Sequence, residues 1–158
     1  MANSAKASAS TMPPLLGWTA ARGVVEAEAL ALFAIVFCWQ FPHFYSIAWM
    51  YREDYANAKI RMLPVVEENG AWTRREIIGY SLALIPATML PALMHMAGRV
   101  YLVSAIVLGG AMLWYGLQAS ISPPPMSSPQ ARMRARNLLK ATVIYLPLLF
   151  GAMMLNAL

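Results

Sequence analysis

The chain has 158 residues, of which 59% are hydrophobic and 12% charged, with a net charge of +5 and a mean hydropathy of +0.53. Soluble globular domains carry about 25% charged residues, so the composition excludes one and predicts an all-α integral membrane bundle. The positive balance does not read as a nucleic-acid footprint, because the basic residues sit in short segments between apolar runs, where they suit anionic headgroups and topology control.

The first dozen residues, MANSAKASASTM, are small and polar and lack the apolar core of a signal peptide. Residues 1–12 are expected to be disordered, with one transmembrane domain over 13–158. Four stretches then lack Asp, Glu, Lys and Arg for about 18 residues or more, roughly what crossing a bilayer core requires. They are 29–51, 77–98, 100–120 and 141–158. Each predicts a helix, because a helix satisfies its own backbone groups in lipid, and none alternates apolar with polar as a barrel strand does. Pro42, Pro86, Pro91 and Pro147 fall inside these spans, where they kink helices and free carbonyls. Cys38, the only cysteine, lies in the first span as a packing residue, and no intramolecular disulfide is possible.

Between the spans, 52–76 holds Arg52, Lys59, Arg61, Arg74 and Arg75, and 121–140 holds Arg132, Arg134, Arg136 and Lys140. Only Lys6, Arg22 and Arg99 fall on the other side. Nine basic residues against three predicts that the two basic loops face the cytoplasm, or the matrix in a mitochondrion, with both termini opposite. SPPPMSSP at 122–129 reads as an irregular connector, and the Arg-x-Arg-x-Arg run after it as a membrane-surface anchor.

The chemistry concentrates at 40–65, QFPHFYSIAWMYREDYANAKIRMLPV, where an apolar span runs into Arg52, Glu53, Asp54 and Tyr55. If the first helix continues to Asp54, then Trp39, His43, Met50 and Asp54 fall near one face. An aromatic belt at the interface accounts for Trp49 and Tyr51. It does not account for His43 two turns inside the span, where ionisable residues are rare. An acid beside Arg52, Lys59 and Arg61 suits a diphosphate held through Mg²⁺, which takes carboxylate and phosphate oxygens while Arg grips phosphate. Aromatic faces just inside the membrane suit a developing carbocation. The simpler readings stay open: Asp54 as a helix-end charge paired with Arg52, and His43 as a buried structural hydrogen bond.

Several blocks in order carry a resemblance: PPLLGW at 13–18, WQFPHF at 39–44, REDY at 52–55 and MLPV at 62–65, then REIIGY at 75–80 and ARNLL at 135–139. They resemble the haem O synthase (protoheme IX farnesyltransferase) family of the UbiA superfamily of intramembrane prenyltransferases. The resemblance implies transfer of a farnesyl group from farnesyl diphosphate to the vinyl group of haem b, with Mg²⁺ on the diphosphate. It implies a nine-helix fold of which this chain holds the last four helices, in a bacterial inner membrane or, in a eukaryote, the mitochondrial one. Asp54 falls on that family's second acidic motif, as metal ligand and, with Arg52 and Tyr55, catalytic group. His43 matches its PHF histidine, and Trp39, Lys59 and Arg61 complete the implied substrate-binding set. Lys59 and Arg61 stand where that family commonly has Gly and Pro.

The family's first, NxxxDxxxD-type motif is absent, so the chain looks like a C-terminal half, inactive without the missing N-terminal half. Haem A synthase or oxidase assembly factors are the further partners implied, besides membrane lipid. The alternative is a non-catalytic four-helix membrane protein that binds haem or lipid, or assists oxidase assembly. Without partner helices, the small residues Gly109, Gly110, Ala111 and Gly116 are expected to be left unpacked.

Overall fold

The computed structural model describes residues 26–67, 69–120, 125 and 127–156, with Gly17, Ala20 and Gly23 as isolated positions before them. The expected disorder of 1–12 and all of the PPLLGW block except Gly17 lie outside the described residues. Within them the chain forms six helices: α1 (Ala27–Met50), α2 (Arg52–Asn57), α3 (Leu63–Val66), α4 (Ala71–Leu93), α5 (Arg99–Ser120) and α6 (Pro129–Leu155). The four long ones are long and apolar enough to cross a membrane, with mean hydropathies of 1.4 to 1.9. This is an integral membrane protein of the helical class.

Consecutive long helices run antiparallel and close a ring: α1 packs on α4, α4 on α5, α5 on α6, and α6 back on α1. The core is built from Ile35, Phe41 and Trp49 of α1, Ile77 and Leu84 of α4, Tyr101 and Met112 of α5, and Leu138, Tyr145 and Leu149 of α6. Phe41 and Tyr80 stack face to face at 3.8 Å across the α1–α4 seam. The short helices α2 and α3 lie between α1 and α4, at the end of the bundle that also carries the α5–α6 connection.

Helix bounds depart from the charge-free windows for physical reasons. The second span was expected at 77–98, but α4 runs from Ala71 to Leu93. At its start, Arg74, Arg75 and Glu76 are helical, since a helix need not stop where the bilayer does. At its end, expected spans separated only by Arg99 leave no room for a reversal, which takes about 2–5 residues. The chain instead turns through residues 94–98. His95 adopts φ 59°, with His95 N–H donating to the Ala92 carbonyl and Met96 N–H to the Pro91 carbonyl. That pair of bonds is a Schellman cap with His95 in the left-handed position usually filled by glycine.

The last helix was expected at 141–158 and begins twelve residues earlier, at Pro129. Ser128 Oγ accepts from Ala131 N–H at 3.1 Å, and Pro129 takes the first helical position, as caps and prolines prefer. Arg132, Arg134, Arg136 and Lys140 therefore sit on the first three turns of α6, not in a loop.

The small-residue face also differs from expectation. Gly109 and Gly116 are buried against α4: a Cβ at Gly109 would lie 3.1 Å from Ile85 Cγ1, and one at Gly116 would lie 3.4 Å from Ile77 and Ser81. They belong to the seam Tyr101, Ala105, Gly109, Met112, Gly116 and Ala119, spaced by threes and fours. Gly110 and Ala111 face outward as expected.

Candidate functional site

The junction after α1 is a short folded unit. The first helix does not continue to Asp54; it ends at Met50, and α2 restarts at Arg52. Lys59 N–H donates to the Ala56 carbonyl and Ile60 N–H to the Tyr55 carbonyl, with Lys59 at φ 56°. This is a second Schellman cap, whose left-handed position is usually filled by glycine. Here a lysine adopts the same left-handed backbone. The chain then extends through Met62 into α3.

Arg52 is half-buried, and its Nη2 donates to the Glu67 carbonyl at 2.8 Å rather than to Asp54. It ties the start of α2 to the segment that enters α4. The Glu67 carboxylate accepts from Trp72 N–H at 2.6 Å, and from both Thr73 N–H and the Thr73 hydroxyl at 2.9 Å. Burial raises the Glu67 pKa, but the hydrogen bonds from Thr73 and Trp72 and the charge of Arg74 outweigh it and hold the group below the usual carboxylate range. Glu67 thus caps α4 and anchors Arg52. Neither role was legible in the junction motif, although an acid a few residues ahead of a helix is itself a capping signal.

Glu53 pairs with Arg132 of α6 at 3.7 Å, both exposed. Asp54 is exposed at the surface of α2, and its carboxylate has no hydrogen bond or ion pair among the described residues. Tyr55 is half-buried beside it, and Lys59 and Arg61 are exposed on the following turn. The described residues hold no group of three His, Cys, Asp or Glu side chains suited to a metal. A lone carboxylate such as Asp54 would fill at most one position of a Mg²⁺ ligand set.

The expected common face divides. Trp39 and His43 turn toward α6: Trp39 Nε1 donates to the Thr142 carbonyl at 2.8 Å, and His43 Nδ1 lies 2.9 Å from Thr142 Oγ1. The two rings stack at 4.5 Å and 17°. Met50 lines a groove of about 620 Å³ between the end of α1 and the start of α6, with Tyr51, Pro129, Arg132, Met133 and Arg136. Asp54 stands apart on α2. Thr142, which joins both aromatic rings from 99 or more positions away, left no signal in the sequence near them.

Comparison with known proteins identifies the family. The model of the UbiA prenyltransferase family matches residues 5–155. The chain is 57% identical over 145 residues to a protein from Koribacter versatilis named Protoheme IX farnesyltransferase, an alignment covering 92% of this chain and 47% of the relative. Proteins of the same name from Solibacter usitatus and Salinibacter ruber are 49% and 39% identical over 92% of this chain, covering 47% and 49% of their own lengths. The chain thus spans about half the length of the curated relatives it matches. No solved structure matches. By the family match over nearly all of its length, this chain belongs to the UbiA prenyltransferase family.

Proposed function

We propose that this chain forms one half of a protoheme IX farnesyltransferase site, in which farnesyl diphosphate alkylates the vinyl group of haem b. The observation that carries the reading is Asp54: an exposed carboxylate without a protein partner among the described residues, held on a capped helix at the apolar bundle's mouth. The names of the relatives supply the reaction.

In this reading Asp54 provides one oxygen to Mg²⁺ and the other ligands come from acids outside this chain. An ion held there would supply positive charge to offset the negative charge developing on the leaving diphosphate. Lys59 and Arg61 draw the diphosphate to the turn, and Tyr55 stands within the same short helix. Arg52 acts through position, because its bond to the Glu67 carbonyl fixes where α2 sits. The C–O bond to diphosphate breaks with its electron pair leaving on oxygen, the vinyl carbon bonds to the farnesyl carbon, and water adds to the adjacent carbon with loss of a proton. The excess of basic residues at this end of the bundle supports a site that faces the cytoplasm from a bacterial inner membrane.

The test is co-expression with the N-terminal half of a relative that carries the first acidic motif, followed by haem analysis. Haem O should form with the unaltered chain. Asp54→Asn should lower it about 100-fold or more, as loss of a charge-stabilising group at a reacting centre does. Unchanged haem O in Asp54→Asn sinks the metal role and favours the non-catalytic alternative.

A further inference from the structure

His43 lies seven residues before the end of α1, half-buried in a membrane-spanning helix. One end of its ring is accounted for. Nδ1 is 2.9 Å from Thr142 Oγ1, and that hydroxyl donates its own proton to the Leu139 carbonyl at 2.6 Å. A hydroxyl has one hydrogen to give, so Thr142 Oγ1 has only lone pairs left for His43. The imidazole must therefore donate from Nδ1, and its neutral form carries the free lone pair at Nε2. Among the described residues Nε2 has no hydrogen-bond partner.

The ring is also held in plane. Trp39 stacks on it at 4.5 Å, and the Trp39 indole is itself pinned to the Thr142 carbonyl. Two helices thus cooperate to present one uncommitted nitrogen inside an apolar layer, where a polar atom without a partner is costly. Histidines that bind metals are built this way: the second ring nitrogen donates to a fixed acceptor, which sets the tautomer and the ring orientation. Imidazole is also a usual ligand of haem iron.

We infer that His43 Nε2 ligates the iron of haem b, with Thr142 and Trp39 as positioning residues that set its tautomer and plane. This rests on the reading of haem as the acceptor substrate and deepens it by naming the atom that holds it. His43 lies within α1, seven residues before its end, and Asp54 lies on α2, beyond the break at Tyr51. The iron then lies in the apolar layer and the diphosphate at its surface, the order their polarities require.

The experiment titrates ferric haem b into the purified 158-residue chain in nanodiscs and reads the Soret band and the electron paramagnetic resonance spectrum. The unaltered chain should give a histidine-ligated spectrum. His43→Gln, which keeps a donor for Thr142, and His43→Gly should both lose it, and added imidazole should restore it in His43→Gly alone. Thr142→Val should weaken binding about 10- to 100-fold, as second-sphere changes at metal sites do. Circular dichroism confirms folding of each variant. A spectrum unchanged in both His43 variants, no rescue by imidazole in a folded His43→Gly, or no ligation in the unaltered chain overturns the inference. The two readings fail separately. Haem O formation with a spectrum indifferent to His43 rejects the ligand and keeps the enzyme, whereas His43-dependent ligation without haem O formation does the reverse.

Discussion

Glu67→Ala isolates the cap that couples the junction to α4. The substitution removes three acceptor contacts, from Trp72 N–H, Thr73 N–H and the Thr73 hydroxyl. Loss of a helix cap costs about 0.5–2 kcal/mol, and loss of a negative charge at a helix N-terminus about 0.3–1 kcal/mol. Thr73 is fully buried, so its hydroxyl left without a partner adds about 1–3 kcal/mol. These effects overlap, and a total of about 2–3 kcal/mol is expected. The Arg52 bond goes to the backbone carbonyl of residue 67 and survives the change, so the loss reports the cap and not the anchor. Unfolding in mixed micelles, followed by circular dichroism, measures it. The sign with pH follows from the lowered Glu67 pKa. Its contribution is present above the unfolded value of about 4.3 and is lost as pH falls through the lower folded value, so Glu67→Gln should flatten that acid limb. A loss in Glu67→Ala below about 0.5 kcal/mol, or an acid limb identical in Glu67→Gln, refutes the argument.

Two further predictions concern backbone and packing. Lys59→Gly should raise stability by up to about 1 kcal/mol, because a side chain at φ 56° costs about 1–2 kcal/mol and glycine's greater freedom when unfolded offsets part of the gain; a decrease on the same denaturation curve contradicts the cap assignment. Gly109→Leu should cost about 1–3 kcal/mol by forcing α5 away from Ile85, whereas Gly110→Leu, on the outward face, should change the unfolding midpoint little.

Much of the junction was legible because its logic is local. The acid, the aromatic belt and the basic turn lie within 26 consecutive residues, whereas the left-handed backbone of Lys59 shows only in the structure. The partners of those residues were not legible. Proximity in sequence pairs Arg52 with Asp54, two positions away, yet it reaches the carbonyl of Glu67, fifteen positions on. The sequence leaves His43 open to a structural bond or a haem contact; the Thr142 bond supplies the first and, by fixing the tautomer, motivates the second.

By itself the sequence determined the class of solvent and the number of crossings. Four apolar runs free of charge must lie in lipid as helices, since the cost of burying charge and bare backbone there is local and additive along the chain. Only the tertiary structure decided where those helices end and which faces meet. The start of α5 shows why: Gly98 N–H donates to the Asn156 carbonyl and Tyr101 N–H to the Asn156 side chain, and a Cβ at Gly98 would lie 2.7 Å from Asn156 Oδ1. That cap comes from 55 positions away. Such bonds depend on how antiparallel helices of unequal length stack end to end, a property of the closed ring and not of any window of residues.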